Sequence, residues 1–252
     1  MSEFDVFARF YDLDHAEIQE DIDLYRNFAR RTGGPILELA AGTGRVLVPL
    51  ARDGYDVTGI DVSPAMLAVA SDKARRAGVD RRVRLVEADL RDFSVDESYA
   101  LAFAAHNSFL HMVASEDRIA ALSNVARHLR EGGLLILDLF NPDPSLFPTF
   151  DGSLVHDHTR RDPVSGNQVV KFTSARVDSA RQQLHITFFY DEVLPGGEVR
   201  RTIAPFTLSF LFHNEMRLLL DRAGLREEAA YGTYDLDPYD SDSPRMIIVA
   251  AK

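Results

Sequence analysis

Between Ile36 and Leu139 the chain carries five short, predominantly apolar runs, and their lack of regular polar alternation is what most limits its fold. The runs are Ile36 to Leu39, Asp56 to Ile60, Val83 to Val86, Tyr99 to Ala105 and Leu134 to Leu139. None alternates apolar with polar residues, so each reads as a strand buried on both faces, as in a parallel sheet covered by helices on both sides. The intervening stretches supply those helices. One runs from Arg45 to about Arg52. A second opens at Ser63, an N-cap followed by Pro64 at the first helical position, and ends near Gly78. A third starts at Ser115, with Glu116 and Asp117 in its electropositive first turn, and is expected to stop at Gly132-Gly133. The expected fold class is α/β, a doubly wound and mostly parallel sheet whose ligand crevice lies at the carboxyl ends of the strands.

The flanking segments have a different texture. From Phe4 to Arg31, Phe7, Phe10, Tyr11, Ile18, Ile22, Tyr25 and Phe28 recur at three- and four-residue intervals, which predicts a helix ended by Thr32-Gly33-Gly34-Pro35. Beyond Asn141, Val169 to Val177, Leu184 to Leu194 and Val199 to Phe212 are long, partly alternating and rich in β-branched and aromatic residues. Pro195-Gly196-Gly197 makes a turn between the last two. This predicts an antiparallel meander inserted at about 150–212. A helix from Asn214 to Ala223 and a strand from Met246 to Ala251 then rejoin the main sheet. The expectation is one domain spanning 1–252, with a helical lid at about 1–31 and a core of 35–141 and 213–252.

Composition removes several function classes. The 28 basic against 39 acidic residues leave a net charge of −11, which repels phosphate backbones and disfavours nucleic acid as a partner. There is no cysteine, which excludes disulfides, thiolate nucleophiles and cysteine-ligated zinc. His156-Asp157-His158 has the spacing of strand alternation and offers no third ligand on one face, so no metal is expected. The first residues lack a basic segment followed by an apolar run, and no stretch approaches a membrane span, so the cytoplasm is the expected location.

The segment with the most chemical content is Glu38-Leu39-Ala40-Ala41-Gly42-Thr43-Gly44, where the first strand turns into a helix. Glycines there let backbone approach a ligand that a Cβ would repel. Asp61 follows at the end of the second strand, where a carboxylate can accept hydrogen bonds from both hydroxyls of a ribose. Taken alone, an aspartate after a strand is a turn or cap residue. A dinucleotide would need a third small residue after Gly42 and Gly44; Leu47 stands there instead, and the frame starting at Ala40 fails at Arg45.

These residues resemble the class I S-adenosylmethionine (SAM)-dependent methyltransferases, from Ile36 to about Asn141. Glu38 to Gly44 matches the family's glycine motif, Gly59-Ile60-Asp61-Val62-Ser63 with Met66 its acidic ribose motif, and Glu87-Ala88-Asp89-Leu90 its adenine motif. His106-Asn107-Ser108-Phe109-Leu110-His111 sits where the family contacts the transferring methyl. The resemblance implies that Glu38, Ala40, Gly42 and Gly44 form the methionine end of a SAM site, with Asp61 on the ribose and Val62 and Met66 beside the adenine. It implies that Asp89 accepts from the adenine amino group near the Leu90 amide, and that Ala105 and His106 lie next to the sulfur. Ala41 departs from the pattern, being a position where close relatives often carry cysteine. The Phe10-Tyr11-Asp12 segment resembles the N-terminal lid of small-molecule N-methyltransferases, which makes Tyr11 the candidate that closes over the methionine end; as part of an amphipathic helix it would instead only pack.

The implied function is methyl transfer from SAM to a small-molecule amine or hydroxyl, by direct displacement, with S-adenosylhomocysteine (SAH) as product. Positioning alone can supply roughly 7–11 kcal/mol to such a step. If the acceptor arrives protonated, His106 and His111 are the candidate proton acceptors, since histidine suits neutral pH. The alternatives are a non-catalytic SAM or nucleotide-binding module, and an aminopropyl- or decarboxylase-type user of the same cofactor fold. The aromatics of the meander, among them Phe172, Phe188, Phe189, Tyr190 and Phe206, would wall a small acceptor pocket or form a homodimer interface.

Overall fold

The computed structural model describes residues 3–15 and 18–252. In chain order its strands are β1 (Ile36–Leu39), β2 (Val57–Asp61), β3 (Val83–Glu87), β4 (Tyr99–Ala104), β5 (Leu129–Phe140), β6 (Asp151–Arg161), β7 (Gln168–Asp178), β8 (Gln183–Val193), β9 (Val199–Ser209), β10 (Arg226–Tyr231) and β11 (Arg245–Ala251). The α-helices are α1 (Tyr11–Asp14), α2 (Glu20–Thr32), α3 (Leu47–Arg52), α4 (Pro64–Arg76), α5 (Ser115–His128) and α6 (His213–Arg222). Two compact units result. One takes the chain up to Asn141 together with Leu211–Lys252; the other is Pro142–Phe210 and contains most of the expected insertion.

The first unit is a seven-stranded sheet of order β10-β11-β5-β4-β1-β2-β3. β3, β2, β1, β4 and β5 run parallel; β11 is antiparallel to β5 and β10 is antiparallel to β11, so β11 runs against the other six. Every residue of β1, β2 and β4 is buried, which is why these strands carry no polar alternation. β1 lies between β2 and β4, so the winding reverses there and opens a crevice at the carboxyl edge. The register sets Leu39 beside Ile60 and Ala104, and the next residues, Ala40 and Ala105, leave the sheet beside Asp61, the last residue of β2.

Helix–sheet packing at the crevice depends on Gly59. A Cβ on Gly59 would lie 2.7 Å from Leu47 Cδ1 and 2.8 Å from Ala41 Cβ. The room that a third loop glycine would supply is therefore supplied from β2, and α3 keeps a leucine. On the same face α2 buries Ile22, Leu24, Tyr25 and Phe28, with the Tyr25 ring stacked on Phe103 at 4.3 Å. Ser63 caps α4 as expected, its hydroxyl accepting from the Met66 N–H at 3.1 Å.

Four elements differ from the sequence reading. The helix expected over Phe4 to Arg31 is a 3₁₀ turn (Glu3–Phe7), the short α1 and then α2. The apolar periodicity survives because each piece packs separately; within the expected lid of about 1–31, Met1, Ser2, Ala16 and Glu17 lie outside the described residues. The helix expected to reach Gly132 ends at His128, and Leu129 already pairs with Tyr99; the glycine pair lies inside β5, near a register shift between Tyr99 and Leu101. β10 has no counterpart in the sequence reading, and β6 extends well beyond the strand alternation expected at His156–His158; both are rich in charge.

The second unit contains a four-stranded antiparallel sheet, β6-β7-β8-β9, joined by short hairpins. Phe188 packs edge-on against Phe206 at 4.8 Å and Tyr190 at 6.2 Å, and the Lys171 ammonium sits 3.7 Å above the Phe188 ring. Among the described residues no helix is long and apolar enough to cross a membrane.

Candidate functional site

The loop after β1 is shaped by three left-handed residues, Ala40 (φ 51°), Gly42 (φ 53°) and Gly44 (φ 73°). Asp61 ties this loop to the next one. Its Oδ2 accepts the Gly42 N–H at 2.8 Å and its Oδ1 accepts the Ser63 N–H at 2.8 Å. Burial raises its carboxyl above the usual range while those N–H groups, with that of Val62, pull it back. With these N–H groups on it, the carboxylate keeps about one or two lone pairs for a ligand's hydroxyls. Met66 is buried beside this loop, and Ser63 Oγ donates to Asp5 Oδ1 at 2.6 Å, fixing the N-terminal 3₁₀ turn against it.

Behind the glycine loop lies a buried charge cluster. Arg45 is gripped by Asp21 in a two-pronged pair, Nη1–Oδ1 2.7 Å and Nη2–Oδ2 2.5 Å, with Asp21 wholly out of solvent. Glu38 is buried next to this pair, and its Oε2 has no hydrogen-bond partner. Burial pushes the Glu38 carboxyl up to about 8, against the pull of Arg45. Tyr11 is also drawn in: burial pushes its phenol up to about 12, against the Arg45 charge that it hydrogen-bonds. The loop's other tie is Asp12, whose Oδ1 accepts from Thr43 Oγ1 at 2.6 Å and from Lys73 Nζ at 2.5 Å.

The third wall is the turn after β4, where His106 (φ 49°) and Asn107 (φ 67°) are both left-handed. The His106 ring meets the edge of His15 at 5.0 Å, and His15 stacks on Tyr11 at 4.1 Å, so three rings bridge the turn and the N-terminal segment. His106 Nδ1 is buried without a partner. Burial, with the charges of His15, Arg245 and Arg45, drives its imidazole down to about 3. His111 packs instead edge-on to Phe4 at 4.9 Å, and burial lowers it to about 4. Both rings are neutral at physiological pH and far weaker bases than free histidine.

The structure thus brings together Tyr11, Glu38, Ala40, Gly42, Gly44, Asp61, Ala105 and His106 at one edge of the sheet, with Val62 and Met66 following Asp61. His111 has a different ring partner. Asp89 lies past β3, where Oδ1 accepts from the Arg91 N–H and Nε, both at 2.9 Å, and Oδ2 accepts from Nη2 at 2.6 Å. Those bonds to Arg91 hold its carboxyl below the usual range. The Leu90 carbonyl accepts from Asn124 Nδ2 at 3.2 Å, which leaves its amide unconstrained by that contact. The sequence reading missed Asp21, Arg45, Asp138 and Arg245. A charged residue inside an apolar strand, as Asp138 stands in Leu134 to Phe140, was the available signal.

The family model described as a methyltransferase domain matches residues 36–133, which include the glycine loop, Asp61, Asp89 and His106. A Streptomyces cypemycin N-terminal methyltransferase is 30% identical over 217 residues, covering 86% of this chain and 82% of that protein. The dTDP-3-amino-3,4,6-trideoxy-alpha-D-glucopyranose N,N-dimethyltransferase of Streptomyces venezuelae is 30% identical over 237 residues, 90% of this chain and 92% of the relative. Among solved structures, an S-adenosylmethionine-dependent methyltransferase from Clostridium acetobutylicum superposes with a TM-score of 0.81 at 17% identity, covering 96% of this chain and 95% of the other.

Proposed function

The chain belongs to the class I S-adenosylmethionine-dependent methyltransferases, and on that premise we propose that it methylates the amine nitrogen of a small-molecule acceptor. The observation that carries this reading is a pair of unpartnered buried polar atoms, Glu38 Oε2 and His106 Nδ1, on residues at the carboxyl edge of the sheet near Ala40, Asp61 and Ala105. Unpaired buried polar atoms are costly unless a ligand supplies the missing hydrogen bond or, for a carboxyl, a positive charge. SAM fits that demand, having an ammonium at one end and a sulfonium carrying the methyl in its middle.

When bound, SAM supplies an electrophilic methyl that leaves sulfur as the acceptor's lone pair arrives, giving SAH. Asp61 would take the ribose hydroxyls on its free lone pairs, with Val62 and Met66 beside the adenine. Asp89, oriented by Arg91, would accept from the adenine amino group near the Leu90 amide. Glu38 would face the ammonium and Tyr11 would cover it, while Ala105 and His106 would line the sulfur. The low proton affinity of His106 and His111 bears on the acceptor. A hydroxyl needs a base to remove its proton as it attacks, and imidazoles at about 3 and 4 serve poorly at neutral pH. A neutral amine attacks through its own lone pair and sheds its proton afterwards to water. The names of the relatives, one acting on an amino sugar and one on a peptide N-terminus, support an amine.

Calorimetry with SAH, followed by transfer of labelled methyl across a panel of small amines and matched alcohols, tests the reading. Asp61→Ala, folded by circular dichroism, is expected to weaken SAH at least about tenfold, since hydrogen bonds to a charged acceptor contribute roughly 1.5–3 kcal/mol each. Absence of SAH binding at millimolar concentration, or labelling confined to hydroxyls, would refute it.

A further inference from the structure

Asp138 is enclosed at 0% exposure near the carboxyl end of β5, beside the crevice but outside the residues matched by the family model. Its Oδ2 accepts from the His106 N–H at 3.0 Å, the Tyr234 hydroxyl at 3.1 Å and the Tyr25 hydroxyl at 3.4 Å. Its Oδ1 accepts from Arg245 Nε at 2.9 Å and from Nη2. A carboxylate offers about four lone-pair sites, so these donors saturate it and leave nothing for a substrate. It acts through what it holds.

What it holds is the His106–Asn107 turn. Two consecutive non-glycine residues with positive φ are rare, and such a pair persists only when its surroundings fix it. The Asp138 side chain binds the His106 amide, and the Asp138 carbonyl accepts the Asn107 N–H at 2.8 Å. Asn107 Oδ1 in turn accepts from the Phe140 N–H at 2.6 Å and from Arg245 Nη2 at 3.2 Å. Arg245, from β11, therefore grips both Asp138 and Asn107. Burial disfavours its charge, but Asp138 and the two tyrosines raise its proton affinity overall. Every group in the cluster has one role: the tyrosines and the guanidinium donate, and the carboxylate accepts.

We propose that Asp138, braced by Arg245, Tyr25 and Tyr234, is a positioning residue of the methyl-transfer centre, holding the left-handed His106–Asn107 turn so that the His106 ring and Ala105 are set against the transferring methyl. The assignment of that turn to the methyl rests on the functional reading above. A positioning role differs from a merely structural one in that its loss moves the His106 ring within the folded protein.

The test compares the intact chain with Asp138→Asn and with the doubly substituted Tyr25→Phe, Tyr234→Phe, which changes no charge; circular dichroism establishes the fold of each. The His106 ring is followed by NMR of histidine-labelled protein and assigned from the signal lost in His106→Gln. The charged and titratable groups around this ring are His15, Arg45, Asp21 and Arg245, with Asp138 at its amide; the tyrosine variant alters none of them, and the charge removed in Asp138→Asn would by itself lower the midpoint, so a rise in either variant reports movement of the ring. In at least one folded variant the His106 midpoint is expected to rise from about 3 by about one unit or more, as a loosened turn lets the ring reach water. The preference for SAM over SAH is expected to fall at least about threefold, with SAH affinity itself changed less than that. A His106 midpoint unchanged in folded variants, or a displaced ring with the SAM-to-SAH preference intact, overturns the proposal. The titration needs no cofactor. Failure of the intact protein to bind either probe would count against the functional reading alone, and the ring would still decide the positioning role.

Discussion

At pH 7 the Glu38 carboxyl keeps its proton, because burial raises it from 4.5 to about 8. With a midpoint near 8, about nine-tenths of the molecules are protonated at pH 7. Bringing an ammonium against the unpartnered Oε2 favours the ionised form, and an opposite charge at 4–6 Å lowers a carboxyl by roughly 1–3 units. Binding of SAH at pH 7 is therefore expected to release roughly half a proton or more. The release appears in calorimetry as a difference in apparent heat between phosphate and Tris buffers. In Glu38→Gln, which cannot titrate, that difference should vanish and affinity should fall.

The same shift fixes how stability without ligand depends on pH. The raised carboxyl binds a proton in the folded state that the unfolded state has lost, so its stabilising contribution is whole below about 4.5 and disappears as pH rises through about 8. At about 1.4 kcal/mol per unit, the loss across that window is about 3–5 kcal/mol for this buried group. Denaturant melts between pH 5 and 8.5 measure it, and Glu38→Gln should flatten the curve. Equal binding heats in the two buffers would show that no cation meets Glu38. A pH profile identical in Glu38→Gln would show that its proton affinity is not raised.

Two further perturbations address the frame of the site. Asp21→Ala strips the buried partner from Arg45 and is expected to cost about 3–5 kcal/mol, lowering Tm by roughly 6–20 °C in a chain of this size. Asp21→Leu with Arg45→Met should recover most of that; a loss under about 1 kcal/mol in Asp21→Ala would mean that the pair is solvated. Gly59→Ala places a Cβ against Leu47 and Ala41 and is expected to cost about 1–3 kcal/mol in urea melts and to weaken SAH. Adding Leu47→Ala should relieve part of the clash, and a neutral Gly59→Ala would refute the packing argument.

The sequence by itself determined the alternation of strand and helix from Ile36 to Phe140, the glycine loop, the capped start of α4 and the position of Asp61. These are local properties: an apolar run buried on both faces, a turn that needs left-handed residues, and a cap read from two neighbouring side chains. Tertiary structure decided the rest. The N-terminal periodicity of Phe7, Tyr11, Ile22 and Phe28 did not reveal a chain broken into a 3₁₀ turn and two helices, because each piece keeps its apolar residues turned inward although each packs separately. β10, and the full length of β6 beyond His156–His158, were hidden by their charge. The proton affinities of Glu38 and His106 follow from how far each is removed from water, which no spacing of residues encodes. Asp138 and Arg245 stand 107 residues apart and meet only because β11 inserts antiparallel beside β5. Their pairing, and with it the shape of the His106–Asn107 turn, is a product of sheet order, since a buried charge finds its partner in space and leaves no local pattern in the chain.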